Sequence, residues 1–214
     1  MAKTARPSLS LPIILGAAAA VMAREGHGGL TMRAVAAELG VQAPAIDWYV
    51  KDKQALELAL YDHLMEGLAF TPRGVDWRAD LRQMGIDLRE RFLAKRDVAK
   101  LIPAGFFFAP KSMKQMDVAL GVMMKAGLAP RDAFYAFAAG FSYVTHWCLA
   151  EAEMRARPVD QRPGLDEAAK AQIAAGDYPN LAIASASFGP VGDLEEEFLF
   201  GLDSLIAGFA RLIP

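Results

Sequence analysis

Apolar residues recur at three- and four-residue spacing along almost the whole chain, and no alternating run bounded by turn residues marks a strand. The pattern predicts an all-α fold. Ile13, Ala17 and Val21, with Ile14, Ala18 and Met22 beside them, set a first helix from about Ser10 to the break at Gly26-His27-Gly28-Gly29, with Pro12 in its first turn. Thr31 can cap a second helix that ends at Gly40. A short third helix is expected over about Ala43–Tyr49. Asp52 caps a fourth that continues to about Phe70, before a turn at Thr71-Pro72-Arg73-Gly74. Further helices are expected over about Trp77–Ala94, Ser112–Ala126, Pro130–Arg155, Asp166–Ala175 and Asp193–Leu212. The apolar stretch "PAGFFFAP" (103–110) connects two of them, and residues 156–165 and 178–192 read as irregular chain.

The most informative stretch is residues 31–50. Val35 and Leu39 share one face of the second helix, and Ala36 is small where a crossing helix must approach. Gly40 supplies a positive φ, Val41 fills the turn and Ile46 anchors the third helix. Ala36, Gly40 and Ile46, at spacings of four and six, are the sequence form of a helix-turn-helix. Pro44 fits the first turn of the third helix, where its missing N–H would have no partner. Gln42, Ala43, Ala45, Trp48 and Tyr49 are then left on the outer side. Thr31 and Arg33 stand near the start of the second helix, and Lys53 begins the fourth. Small residues on a short helix can enter a major groove, and flanking donors can grip phosphate. The competing reading is a generic αα-corner in which Trp48 and Tyr49 are core.

Residues 30–53, "LTMRAVAAELGVQAPAIDWYVKDK", resemble the DNA-binding domain of the tetracycline-repressor (TetR) family. The resemblance is specific in "LTMRAVAAELGV", in Pro44 and in "WYVKDK". "FLFGLDSLIAGF" (198–209) is similar to the last helix of the subgroup that gave the family its name. The resemblance implies a helix-turn-helix DNA-binding domain over 1–53 and a helical ligand-binding and dimerisation domain over 54–214. It makes Thr31, Trp48, Tyr49 and Lys53 phosphate-backbone contacts, and Arg33, Pro44 and Ala45 contacts to base edges. Asp47 departs from the family, which usually has tyrosine there, and Ala43 and Ala45 replace polar side chains. Three readings of Asp47 compete. It pairs with Lys51 one helical turn on, it accepts from a cytosine amino group, or it weakens every complex with DNA.

Composition adds to this picture. The chain has 214 residues, 54% hydrophobic and 22% charged, which is too apolar for disorder and points to surface covered by a second copy. Net charge is −2 but uneven: residues 1–53 hold six Lys/Arg against four Asp/Glu, a net of +2, and the remainder carries −4. All twelve phenylalanines and seven of ten methionines lie after residue 53, so the adaptable apolar side chains concentrate in the second domain. A single cysteine, Cys148, excludes an intrachain disulfide and fits a reducing, cytoplasmic setting. Lys3 and Arg6 before the run Leu11–Met22 resemble a secretory signal, but Pro12, Gly16, Arg24 and Glu25 interrupt or close that run. No stretch reaches the ~18–20 apolar residues of a membrane span.

Catalytic and metal chemistry are not expected. No Cys/His spacing suits zinc, His146 and Cys148 diverge around one helix, and "GHGG" lacks the strand and lysine of a phosphate loop. Glu151/Glu153 and Glu195–Glu197 read as solvated faces and helix N-terminal partners. No cofactor is expected. The helix over 130–155 is apolar on two sides, with Phe134, Phe137, Phe141, Val144 and Cys148 on one and Tyr135, Ala138 and Ala139 on the other. Phe198, Leu202, Leu205, Ile206 and Phe209 form a stripe on the last helix, where Gly201 and Gly208 allow close approach. The resemblance implies that helices 130–155 and 193–212 pair with their symmetry mates as a four-helix bundle. An apolar pocket is expected from Met84, Phe106, Phe107, Met123, Phe141 and Trp147, with His146 as its polar handle. Family members that bind magnesium–tetracycline use polar side chains; three of those positions align here with Ala69, Met84 and Ile102. The reading is a homodimeric regulator, most simply a repressor, that holds a palindromic double-stranded DNA operator and is released by a small, largely apolar effector. The alternative is a dimeric small-molecule or protein-binding module of the same fold with weak or no DNA binding.

Overall fold

The computed structural model describes residues 9–102, 110–158, 167–186 and 193–214. Among them the chain is helical and contains no strand. The helices are α1 (Leu11–Glu25), α2 (Met32–Leu39), α3 (Pro44–Asp47), α4 (Lys53–Leu64), α5 (Trp77–Ala94), α6 (Pro110–Lys125), α7 (Pro130–Ala156), α8 (Glu167–Ala174), α9 (Pro179–Ser185) and α10 (Leu194–Ala210). Single 3-10 turns occupy His27–Gly29 and Val98–Leu101. None of these helices is long and apolar enough to cross a membrane.

The run that resembles a secretory signal is a packed helix. Ile14, Ala18, Val21 and Met22 of α1 are buried, and α1 lies against α2 and α4. In the second part α5 and α7 pack against each other, α10 packs on both, and α6 packs on α7. Glycine permits two of these approaches. A Cβ on Gly85 of α5 would meet Leu202 of α10 at 2.8 Å, and one on Gly201 of α10 would collide with the Tyr143 phenol of α7. Gly208, expected to serve the same purpose, faces nothing within 4 Å.

Two elements differ from expectation. α4 stops at Leu64 instead of continuing to Phe70, because the chain turns through Gly67 at φ 79, a conformation side chains rarely adopt. Residues 179–185 form α9 where irregular chain was expected. α9 is short and has no buried residue, so it leaves no apolar periodicity to detect.

A third difference is electrostatic. Glu151, read from sequence as part of a solvated face, is fully buried at the α5–α7 contact, while Glu153 is exposed. Arg89 Nε and Nη2 donate to its two oxygens at 2.8 and 2.7 Å, Arg155 donates at 2.6 Å and Trp147 Nε1 at 3.0 Å. The Arg89 guanidinium also lies over the Phe198 ring, 4.9 Å from its centre, so the cluster joins α5, α7 and α10. Burial would raise the Glu151 pKa, but the two arginines hold it below the usual carboxylate range.

Candidate nucleic-acid interface and interior chamber

The helix-turn-helix is built by local chemistry. Thr31 Oγ1 accepts from Ala34 N–H at 3.0 Å and starts α2. Gly40 ends it at φ 65, with Gly40 N–H bonded to Ala37 O and Val41 N–H to Ala36 O. Pro44 is the first residue of α3. Val35, Ala36 and Ile46 are buried where the two helices meet. Asp52 Oδ1 caps α4 through Ala55 N–H at 2.8 Å, which sets Lys53 at the start of that helix.

The polar and aromatic residues expected to meet DNA lie on the outside. Thr31, Arg33, Gln42, Pro44, Asp47 and Lys53 are exposed, and Ala43 and Ala45 are partly so. Trp48 is 90% exposed, and Tyr49 is 44% exposed with its hydroxyl donating to Leu9 O at 2.6 Å. An αα-corner with Trp48 and Tyr49 in its core is therefore excluded. α3 stops at Asp47, so Lys51 lies beyond the helix and makes no ion pair with it. Lys53 Nζ is 3.5 Å from Glu57, which also meets His27 Nε2 at 2.8 Å.

The turn that follows α5 grips the base of this unit. Asp97 Oδ2 accepts from His27 N–H at 2.9 Å, and Arg96 donates to Ala23 O and Arg24 O at the end of α1. Gly26, between them, has φ 77, and a Cβ there would lie 2.8 Å from Asp97 Oδ2.

Inside the second part are two adjoining chambers of about 60 and 50 Å³. Met84, Leu88, Phe137 and Phe141 belong to both and form the partition. The first chamber is closed on the α4 side by Tyr61 and Met65, and by Leu68, Phe70, Asp87, Ser112, Gln115 and Met116. Phe70 N–H donates to Gln115 Oε1 at 2.6 Å, and burial raises the Tyr61 phenol well above its ordinary pKa. Met123 lines the second chamber. Three of the expected pocket residues, Met84, Met123 and Phe141, are thus brought together. Phe106 and Phe107 lie outside the described residues.

His146 and Trp147 do not join them. They line an open hollow on the other side of α7, with Ala139, Ser142, Tyr143, Ala150 and Leu205. His146 Nδ1 lies 2.8 Å from Ser142 O, so it is no handle for the interior chamber. Trp147 is tied to Glu151. The residues that sequence reasoning missed, Tyr61, Met65, Phe70, Asp87 and Met116, come from three separate segments with no local signal linking them. Burial pushes the Cys148 thiol up to about 12, far from the range of a reactive thiolate.

A helical reading head mounted on a core with an apolar chamber defines the class, and comparison with known proteins places the chain within it. Residues 14–60 match the family described as bacterial regulatory proteins, tetR family, and residues 71–213 match the tetracyclin repressor-like C-terminal domain. The chain belongs to the TetR family of transcriptional regulators. It is 32% identical over 190 residues to the class C tetracycline repressor of Escherichia coli, covering 87% of this chain and 84% of that protein. A TetR variant of Acinetobacter baumannii AYE, solved in complex with minocycline, is 26% identical with a TM-score of 0.70, covering 96% of this chain and 98% of that one. Apo ActR of Streptomyces coelicolor shares the fold at 22% identity, with a TM-score of 0.80 over 98% of both chains.

Proposed function

We propose that the chain is a homodimeric repressor that holds a palindromic operator and lets go when a small, largely apolar molecule enters the chambers beneath α4. The observation that carries this reading is the exposure of Trp48 and Tyr49, beside Arg33 and Lys53, on a head whose core is otherwise well buried. Large aromatics left in solvent at the end of a short helix are matched by a partner surface, and DNA is the partner that this motif fits.

The dimer face follows from exposure as well. Tyr135 of α7 and Phe200 of α10 are 62% and 76% exposed, and the hollow around His146 and Leu205 lies on the same outer side of α7. Pairing of α7 and α10 with their mates covers this surface and sets the spacing of the two heads. Relatives named tetracycline repressor, and the minocycline complex, support a small-molecule effector. α4 is the coupling element. It carries Lys53 at one end and Tyr61 and Met65 on the chamber wall, so an occupant that shifts α4 favours a dimer whose heads miss successive turns of the duplex. The reading assigns no turnover and no resident cofactor, and places the protein in the cytoplasm.

Asp47 favours a second reading, a binding module with a weakened head, because it puts an unpaired anion on the face that meets phosphate. A gel-shift titration on the DNA upstream of the protein's own gene separates the two. Retardation that survives excess random duplex supports the repressor. Equal competition by random duplex supports the module.

A further inference from the structure

We propose that the effector is a lipophilic cation, an organic amine or quaternary ammonium, whose charge is met by Asp87. This rests on the reading of the chambers as the effector site and adds the charge of the molecule they take.

Among the described residues, Asp87 is the one formally charged side chain on the walls of either chamber. Its hydrogen-bond donor is neutral, the Gln83 amide at 2.8 Å. The basic residues nearby on α5 do not neutralise it. Arg82 is paired with Asp203, Arg89 with Glu151, and Arg91 makes no ion pair with it. The other polar side chains on that wall, Ser112 and Gln115, are neutral, and most of the remainder is aromatic or thioether: Tyr61, Phe70, Phe137 and Phe141, with Met65, Met84 and Met116.

The charge balance orders the classes of occupant. A neutral apolar molecule strips water from the Asp87 carboxylate and leaves it facing hydrocarbon. An anion adds like-charge repulsion. A cation exchanges its hydration for an ion pair and for the negative faces of the rings. The methionines and the shared partition allow the two small chambers to merge around such a molecule.

The test is calorimetric titration of the full-length protein at pH 7 with three probes of nearly equal size: phenylbutylamine, phenylbutanol and phenylbutyrate. The amine should bind at least about tenfold tighter than the alcohol, and the carboxylate weakest. Asp87→Asn, which keeps the size of the side chain, should bring the amine to the level of the alcohol. Met116→Trp, which fills the chamber, should remove binding of both. If Asp87→Asn fails to fold by circular dichroism, the amine-to-alcohol ratio in the wild type and its loss in Met116→Trp decide. Equal binding of amine and alcohol, or an amine preference that survives Asp87→Asn, overturns the charge assignment but leaves the chamber as the site. Amine binding that survives Met116→Trp places the site elsewhere and overturns the proposal. Binding of none of the probes overturns both the charge assignment and the reading of the chambers.

Discussion

The Asp97 carboxylate accepts a hydrogen bond from the His27 backbone N–H at 2.9 Å, and this bond ties the turn after α5 to the end of α1. Asp97 stands at φ 59, the one non-glycine residue with positive φ among those described, and its other oxygen meets Lys100 Nζ at 2.9 Å. A strained backbone held by its own side chain at the joint between head and core is the kind of contact through which a core rearrangement reaches the head.

Asp97→Ala should lower unfolding stability by about 1–3 kcal/mol. The contribution also depends on pH. Burial raises the Asp97 pKa, but the His27 N–H and Lys100 outweigh it and hold the value below the ordinary one. A folded-state pKa below the unfolded one gives stability that is present above about pH 4 and lost as pH falls below it. Denaturant unfolding followed from pH 7 to pH 2 should therefore show a steeper acid loss in the wild type than in Asp97→Asn. Parallel curves would show that the carboxylate is not held as described.

Removing one partner of a buried ion pair leaves the other uncompensated. Glu151→Ala strands Arg89 between α7 and α10 and should cost about 3–5 kcal/mol, against well under 1 kcal/mol for exposed Glu153→Ala. Thermal melts of the two variants make the comparison, and equal losses would contradict the buried cluster.

What was legible in the sequence divides along the range of the interactions. The helix-turn-helix is made by contacts within a few residues, a Thr31 cap, a positive-φ Gly40 and a proline at the start of α3, so its residues announce it. The chambers are made by α4, α5, α6, α7 and α10 together, and only apolar bulk hinted at them. His146 and Trp147 follow Phe141 by five and six residues, about 140° and 240° around α7, which turns them to its outer side. The Arg89–Glu151 pair spans 62 residues and leaves no local trace, so Glu151 looked like any exposed helix acid.

Asp47 is exposed and lacks the Lys51 partner that would make it neutral to recognition. If it weakens every complex, Asp47→Ala and more strongly Asp47→Tyr should tighten binding to cognate and random duplex alike. Dissociation constants on both duplexes at two salt concentrations decide. A loss confined to the cognate duplex would instead make Asp47 a reader of cytosine, by about 1–3 kcal/mol.

Magnesium–tetracycline should not be the effector. Of Ala69, Met84 and Ile102, which align with polar drug-binding positions of the family, only Met84 lines a chamber, and it offers no donor. Calorimetry should show no binding of tetracycline with magnesium at micromolar concentration. A micromolar dissociation constant would refute the expectation.

The account stands most directly on a quantitative footprint of the purified protein on its upstream DNA, repeated with Lys53→Ala and Arg33→Ala over a range of salt. The wild type should protect two inverted half-sites about one helical turn apart. Lys53→Ala should weaken binding to all sequences and reduce the salt slope by about one, and Arg33→Ala should relax sequence preference. A footprint unchanged by both substitutions, or no protected sequence at all, would contradict the assignment of α2 and α3 as the reading head.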